Sequence, residues 1–234
     1  AAPLLAETED YAVIANGEPV GSISVETDGQ SATVAYDVKN NGRGPTMTER
    51  LQLDVAGLPV RWQLDGTSTF ENAIHERFST SGGTAQWTDS TGSGSAQPTE
   101  PALYIAQEGS PWSLGVYARA LLADEDRSLP ALPGGRITLT EEKPVALAGQ
   151  SWRAVAINGI GLSPETVLLD EQGRMFAQLS TGSIVIRKGF EQHASELNAI
   201  AAQRAADRFA ALQRKLSHEY DAPVRLRNVR VFDP

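Results

Sequence analysis

Three histidines are the first residues to question, because an imidazole can ligate a metal or move a proton near neutral pH. They stand at His75, His193 and His218. His75 lies in the run AIHERFST, where the ordinary use of a histidine is a half-buried or surface position in a strand. His193 and His218 fall on one helical segment, 25 positions apart. At ~1.5 Å per residue that is about 37 Å, too far to share an ion. No HxH, HExxH or clustered set of histidines and carboxylates occurs. The chain has no cysteine, which excludes disulfides, thiolate catalysis and cysteine zinc sites. The expectation is no metal site, no catalytic residue and no cofactor in this chain by itself.

Other chemistries fare no better. No serine sits in G-x-S-x-G, and TGSGS (residues 91–95) has the composition of a linker, not of a strained nucleophile elbow. The turns GRGP and PGG lack the following helix and lysine of a phosphate cradle. Glu141-Glu142 and Asp124-Glu125-Asp126 bring acids together, but adjacent acids in a loop are ordinarily solvated. The tryptophans Trp62, Trp87, Trp112 and Trp152 are spread along the strand-rich region. Core filling is their plain use. The sharper reading is a candidate ligand groove at Trp62, Trp87 and Trp152, on the concave face of a curved sheet, receiving an apolar or amphipathic molecule.

Positioning such residues requires elements, and the sequence announces them clearly. Asn16-Gly17, Asp28-Gly29 and Gly82-Gly83 are tight-turn signals between apolar runs, and Glu171-Gln172-Gly173 reads as a further hairpin turn. Alternation at Leu51, Leu53 and Val55, then at Val60, Trp62 and Leu64, gives strands with one buried face. Residues 1–189 are expected as one β-rich domain, a curved antiparallel meander or half-barrel. Residues 88–101, rich in Gly, Ser, Thr and Pro, are expected as a flexible loop. WSLGVYARALLA is expected as a short helix. From residue 190 the period changes: Phe190, Ala194, Leu197, Ala201, Ala205, Phe209, Leu212 and Leu216 recur at three and four. Residues 190–220 are therefore one long amphipathic helix, with a stripe built largely of alanine. Residues 221–234 are a linker and a closing strand. The fold class is mainly β (α+β).

The bulk numbers bound the partners. The chain has 234 residues and a net charge of −9, which argues against nucleic acid, whose binding needs basic surface. No apolar run reaches the ~18 residues of a membrane span. The opening AAPLLAETEDY resembles the mature end left by signal-peptide cleavage, so export to the periplasm is expected. An oligomer is open.

The last eleven residues, VRLRNVRVFDP, look like the start of a strand with nothing after it. An unpaired edge of this kind is one that proteins normally cover. The expected docking residues are Val224, Leu226, Val229, Val231 and Phe232. Asn228, Val229, Val231, Phe232, Asp233 and Pro234 resemble the opening strand of metal-dependent amidohydrolases of the imidazolonepropionase-like group. There such a segment begins the small β-sandwich flanking the metal-binding barrel. The residues from Tyr11 onward look like the N-terminal extension of exported bacterial members. The resemblance implies that this chain is the noncatalytic part of an amide-cleaving hydrolase, its partner being the catalytic module on the same or another polypeptide. It further implies that the divalent metal, zinc by expectation, belongs to that module. It implies a final strand that pairs outside the domain. NGEPVGSISVE and GLPVRWQLDG separately resemble, in strand rhythm, the half-barrels of periplasmic lipid-handling and glycolipid-binding proteins. That similarity implies the alternative of an apolar-ligand module, with the long helix as plug or lid.

Overall fold

Two kinds of strand run through this chain, and they differ in what they bury. In the computed structural model, which describes residues 7–225 and 227–231, the first kind is β2 (Glu18–Asp28), β3 (Ser31–Val38), β4 (Thr46–Leu53), β5 (Pro59–Thr67), β6 (Ala73–Ser81) and β7 (Thr84–Asp89). These alternate: Ala32 and Val34 are buried while Thr33 and Ala35 are exposed, so one face is solvated. The second kind is β1 (Glu7–Ala15), β12 (Gln150–Asn158), β13 (Glu165–Leu169), β14 (Met175–Ser180) and β15 (Ser183–Arg187). These bury unbroken runs, at residues 11–14, 154–157, 166–169, 175–177 and 184–186. Both of their faces are covered.

All the strands join one sheet. With β8 (Gly92–Ala96), β9 (Leu103–Tyr104), β10 (Ser128–Leu132) and β11 (Arg136–Leu147), the order among the described residues is β8-β7-β6-β5-β4-β3-β2-β1-β15-β14-β13-β12-β11-β10-β9. Neighbours are antiparallel except β9 and β10, which run parallel. The first and last strands in the chain, β1 and β15, meet in the middle, with Tyr11 opposite Arg187 and Ala15 opposite Ser183. The sheet curls strongly. Tyr104, at one end of the strand order, stacks on Phe78 near the other end with ring centroids 4.2 Å apart. The protein is thus mainly β, a curved antiparallel meander with one long C-terminal helix.

Each face of the curl holds a helix. The concave face encloses α1 (Ser113–Ala123), whose sequence SLGVYARALLA carries one charge and is buried on nearly all sides. Trp62, Tyr104 and Trp112 fill the room around it, and its own Tyr117 points into the same core. The opposite face of β1 and β12–β15 carries α2 (Ala194–Leu216), entered through a short 3-10 turn at Glu191–His193. Trp152, Phe176 and Leu197 form the core beneath it. The helix enclosed by the half-barrel is therefore α1, and α2, expected as the plug or lid, packs outside.

Two local expectations are corrected. Residues 88–101 are not a loop throughout, because β7 and β8 form a hairpin with Trp87 opposite Gly94. A Cβ on Gly94 would lie 2.5 Å from the Trp87 ring, so the small residues of GSGSA leave the place where that indole rests. Val55 does not continue the alternation of Leu51 and Leu53. It stands exposed in the turn after β4, which Asp54 closes by accepting the Ala56 and Leu58 N–H groups through Oδ1.

Candidate functional site

α2 is seated on the sheet for only its first turns. Ala194, Leu197 and Ala201 are buried there. The last tie is Arg204, whose Nη1 lies 2.5 Å from Glu142 Oε2 and whose Nη2 donates to the Lys143 carbonyl at 2.9 Å. Beyond it the same apolar stripe goes on without cover. Phe209 is 71% exposed, Leu212 46% and Leu216 73%. The helix persists there on local terms: good helix formers, Glu196 in its first turn, and Arg214 and Lys215 in its last, each sign at the favourable dipole end.

The tail continues this uncovered surface. Tyr220, Val224, Val229 and Val231 are exposed, and residues 217–225 and 227–231 make no ladder with any strand. The expected docking residues Val224, Val229 and Val231 thus stand free on the surface of this chain, while Leu226 and Phe232 lie outside the described residues. Within this chain the described residues 224–225 and 227–231 are not in strand conformation. Asn228 takes φ 57°, a left-handed conformation that breaks a pleated ribbon, and no neighbouring edge holds the chain extended.

The three tryptophans of the candidate groove do not share one face: Trp62 and Trp87 belong to the concave core, and Trp152 lies on the opposite side of the sheet. Trp62 is fully buried on the concave side, its Nε1 donating to Glu49 Oε2 at 3.0 Å. Trp87 is half-buried against the same core and borders a shallow cavity of about 310 Å³ with Arg61, Gln63 and Arg77. Trp152 lies under α2, stacked on Phe176 with centroids 3.5 Å apart. Strand parity explains the separation. Along β12, Trp152 and Ala154 face α2 while Val155 and Ile157 face the concave core. His75, which pairs with Asp65 at 3.1 Å, and His193, 3.6 Å from Glu196, are far from one another in the fold's elements, and His218 lies past the end of α2. Among the described residues no group of three His, Asp or Glu side chains is spaced to hold a metal.

Two acids that sequence reasoning passed over are the most organised polar groups in the molecule. Glu49 and Glu76 are 0% and 1% exposed, on the concave face of β4 and β6. Glu49 Oε1 accepts the Ser110 N–H at 2.6 Å. Glu76 Oε1 accepts the Tyr104 hydroxyl at 2.7 Å and the Gln107 N–H at 2.8 Å, and its Oε2 accepts the Glu108 N–H at 2.9 Å. Tyr117 Oη accepts the Ala106 N–H at 2.9 Å. Together they latch residues 106–110, the connection leading into α1. Burial pushes both carboxyls above the usual carboxylate range, against the donors that favour the charged form. Paired buried acids can do acid–base work, but here all four oxygens are occupied by donors of the protein itself, which makes them a latch. The signal was present in the phase of the strands: Met47-x-Glu49-x-Leu51 and Ile74-x-Glu76-x-Phe78 put both acids on the inward face.

A second polar knot holds α1 to the sheet. Tyr11 Oη donates toward Glu9 Oε2 at 2.6 Å and the Met175 carbonyl at 2.8 Å, and Trp112 Nε1 reaches Glu9 Oε2 at 3.4 Å. Arg119 of α1 lies beside Glu9 and Asp170, its pKa lowered by burial. Among the described residues, seven of the ten exposed large apolar or aromatic side chains lie on the stripe of α2 and the tail, which form the candidate site.

No family model matches this chain, and no curated protein matches it. Among solved structures, it is similar to a DUF1089 family protein from Pseudomonas aeruginosa, at 14% identity and a TM-score of 0.42, over 67% of this chain and 88% of the other. It is also similar to a β-barrel-like protein of the domain of unknown function DUF1849 from Brucella abortus, at 12% identity and a TM-score of 0.41, over 80% of this chain and 97% of the other.

Proposed function

We propose that this chain is the noncatalytic module of an exported metal-dependent amidohydrolase, with a docking role toward the catalytic module. The observation that carries the reading is the tail. A segment resembling the first strand of that hydrolase group follows a helix that leaves the sheet, and its described residues are exposed and without a ladder. The strand completes a sheet of the catalytic module, and α2 sets the distance and direction between the two bodies. A divalent metal, zinc by what the resemblance implies, would be held in that module and would supply the activated water for amide hydrolysis. The residues of this chain bind and orient the partner and shape the approach to its active site.

The alternative, a module for an apolar ligand, would require α1 to leave the concave face, since α1 and the aromatic side chains around it occupy that space. It has no comparable support.

The test is to express the chain alone, the polypeptide encoded after Pro234, and both together. The expected result is metal and amide hydrolysis with the downstream polypeptide, and neither with the chain alone. Turnover by the isolated chain, a stoichiometric apolar ligand on it in native mass spectrometry, or a downstream polypeptide without a metal site would overturn the reading.

A further inference from the structure

We infer that the uncovered stripe of α2, Phe209, Leu212 and Leu216, is the seat of the same module that takes the tail strand, and that this module receives it in an apolar groove with an acidic rim. The inference rests on the proposed function and names the surface through which it works.

Three observations carry it. The first is continuity. The spacing that seats Ala194, Leu197 and Ala201 on the sheet repeats without a break through Ala205, Leu212 and Leu216, so the exposed part prolongs an interface already formed. The second is reach. Leu216 and Val224 are eight residues apart, at most about 28 Å of extended chain at ~3.5 Å per residue. A body holding the tail strand is thereby kept next to the stripe at high effective concentration. The third is charge. From Arg204 to the chain end, seven Arg and Lys stand against four Asp and Glu, whereas the preceding residues carry 25 acids and 13 bases. Arg208 and Lys215 lie seven positions apart beside Leu212, flanking the stripe with positive charge.

A second copy of the chain fits this surface poorly. Helix against helix would set Arg208 and Lys215 against their own kind.

The chain has no cysteine, so single thiols report cover directly. Leu212→Cys and, on the other side of the helix, Ala206→Cys are labelled with a maleimide, alone and with the polypeptide encoded after Pro234. The expected result is a rate at least ten-fold slower for Leu212→Cys with that polypeptide, and no change for Ala206→Cys. Arg208→Glu with Lys215→Glu weakens the association at least ten-fold at low salt, and less at high salt. Circular dichroism of each variant confirms that the fold is kept. The inference is overturned if Leu212→Cys stays fast while the tail is captured, if the chain alone slows it in a concentration-dependent way, or if only phosphatidylglycerol vesicles slow it. In each of these cases the amidohydrolase reading survives. A downstream polypeptide without metal or amide hydrolysis defeats that reading instead.

Discussion

Glu49 and Glu76 hold the approach to α1 with carboxylates that water does not reach. Removing one leaves buried donors behind: the Ser110 and Trp62 N–H groups for Glu49, and the Tyr104, Gln107 and Glu108 donors for Glu76. Glu49→Ala and Glu76→Ala are each expected to lower unfolding free energy by about 1–3 kcal/mol per orphaned donor, measured by urea denaturation. The pH dependence has a definite sign. Both folded-state pKa values are raised by burial, so the folded protein holds these protons more tightly than the unfolded chain. Their contribution to stability is full below the unfolded carboxylate pKa and falls as pH rises from there through the folded pKa. The stability advantage of the natural protein over Glu49→Gln with Glu76→Gln should therefore shrink as pH is raised from 4 toward 8, in parallel urea titrations. These acids were legible in strand phase alone, as inward positions bearing a charge. What they grip was not, because residues 106–110 come into reach only when the sheet curls.

At the scale of elements, the turns were the clearest text. Asn16-Gly17 makes the β1–β2 turn with both residues at positive φ, as do Gly82-Gly83 between β6 and β7. Composition misled where packing decides. TGSGS, residues 91–95, has the composition of a linker, yet Gly92–Ala96 form a strand in which Gly94 leaves room for the Trp87 indole. α1 was legible as a helix, but its enclosure was not, since that depends on which strands close around it. The sequence pattern predicts α2 as one piece; in the structure its buried residues end at Ala201 and its last tie is the Arg204–Glu142 pair, so it divides into a seated and a free part. That division makes a paired prediction. Leu197→Ala, at a fully buried position, should cost about 2–5 kcal/mol by cavity formation. Leu212→Ala in the isolated chain should change stability by less than about 0.5 kcal/mol. Thermal and urea unfolding of the two variants would check the contrast, and equal losses would mean that α2 is seated along its whole length.

At the scale of the whole molecule, the chain is an acidic curled sheet with a basic, apolar arm. The two parts follow different rules. The sheet closes its core around α1 and under the first turns of α2, whereas the arm presents Phe209, Leu212, Leu216 and the tail valines to solvent. The described residues of the tail, 224–225 and 227–231, make no ladder with the sheet, which is what the docking proposal needs. The most direct measurement is amide hydrogen exchange of residues 224–231, in the isolated chain and in a polypeptide that continues past Pro234. The account predicts fast exchange in the isolated chain and exchange at least a hundred-fold slower once the catalytic module is present. Slow exchange in the isolated monomer, or equally fast exchange in both, would contradict it.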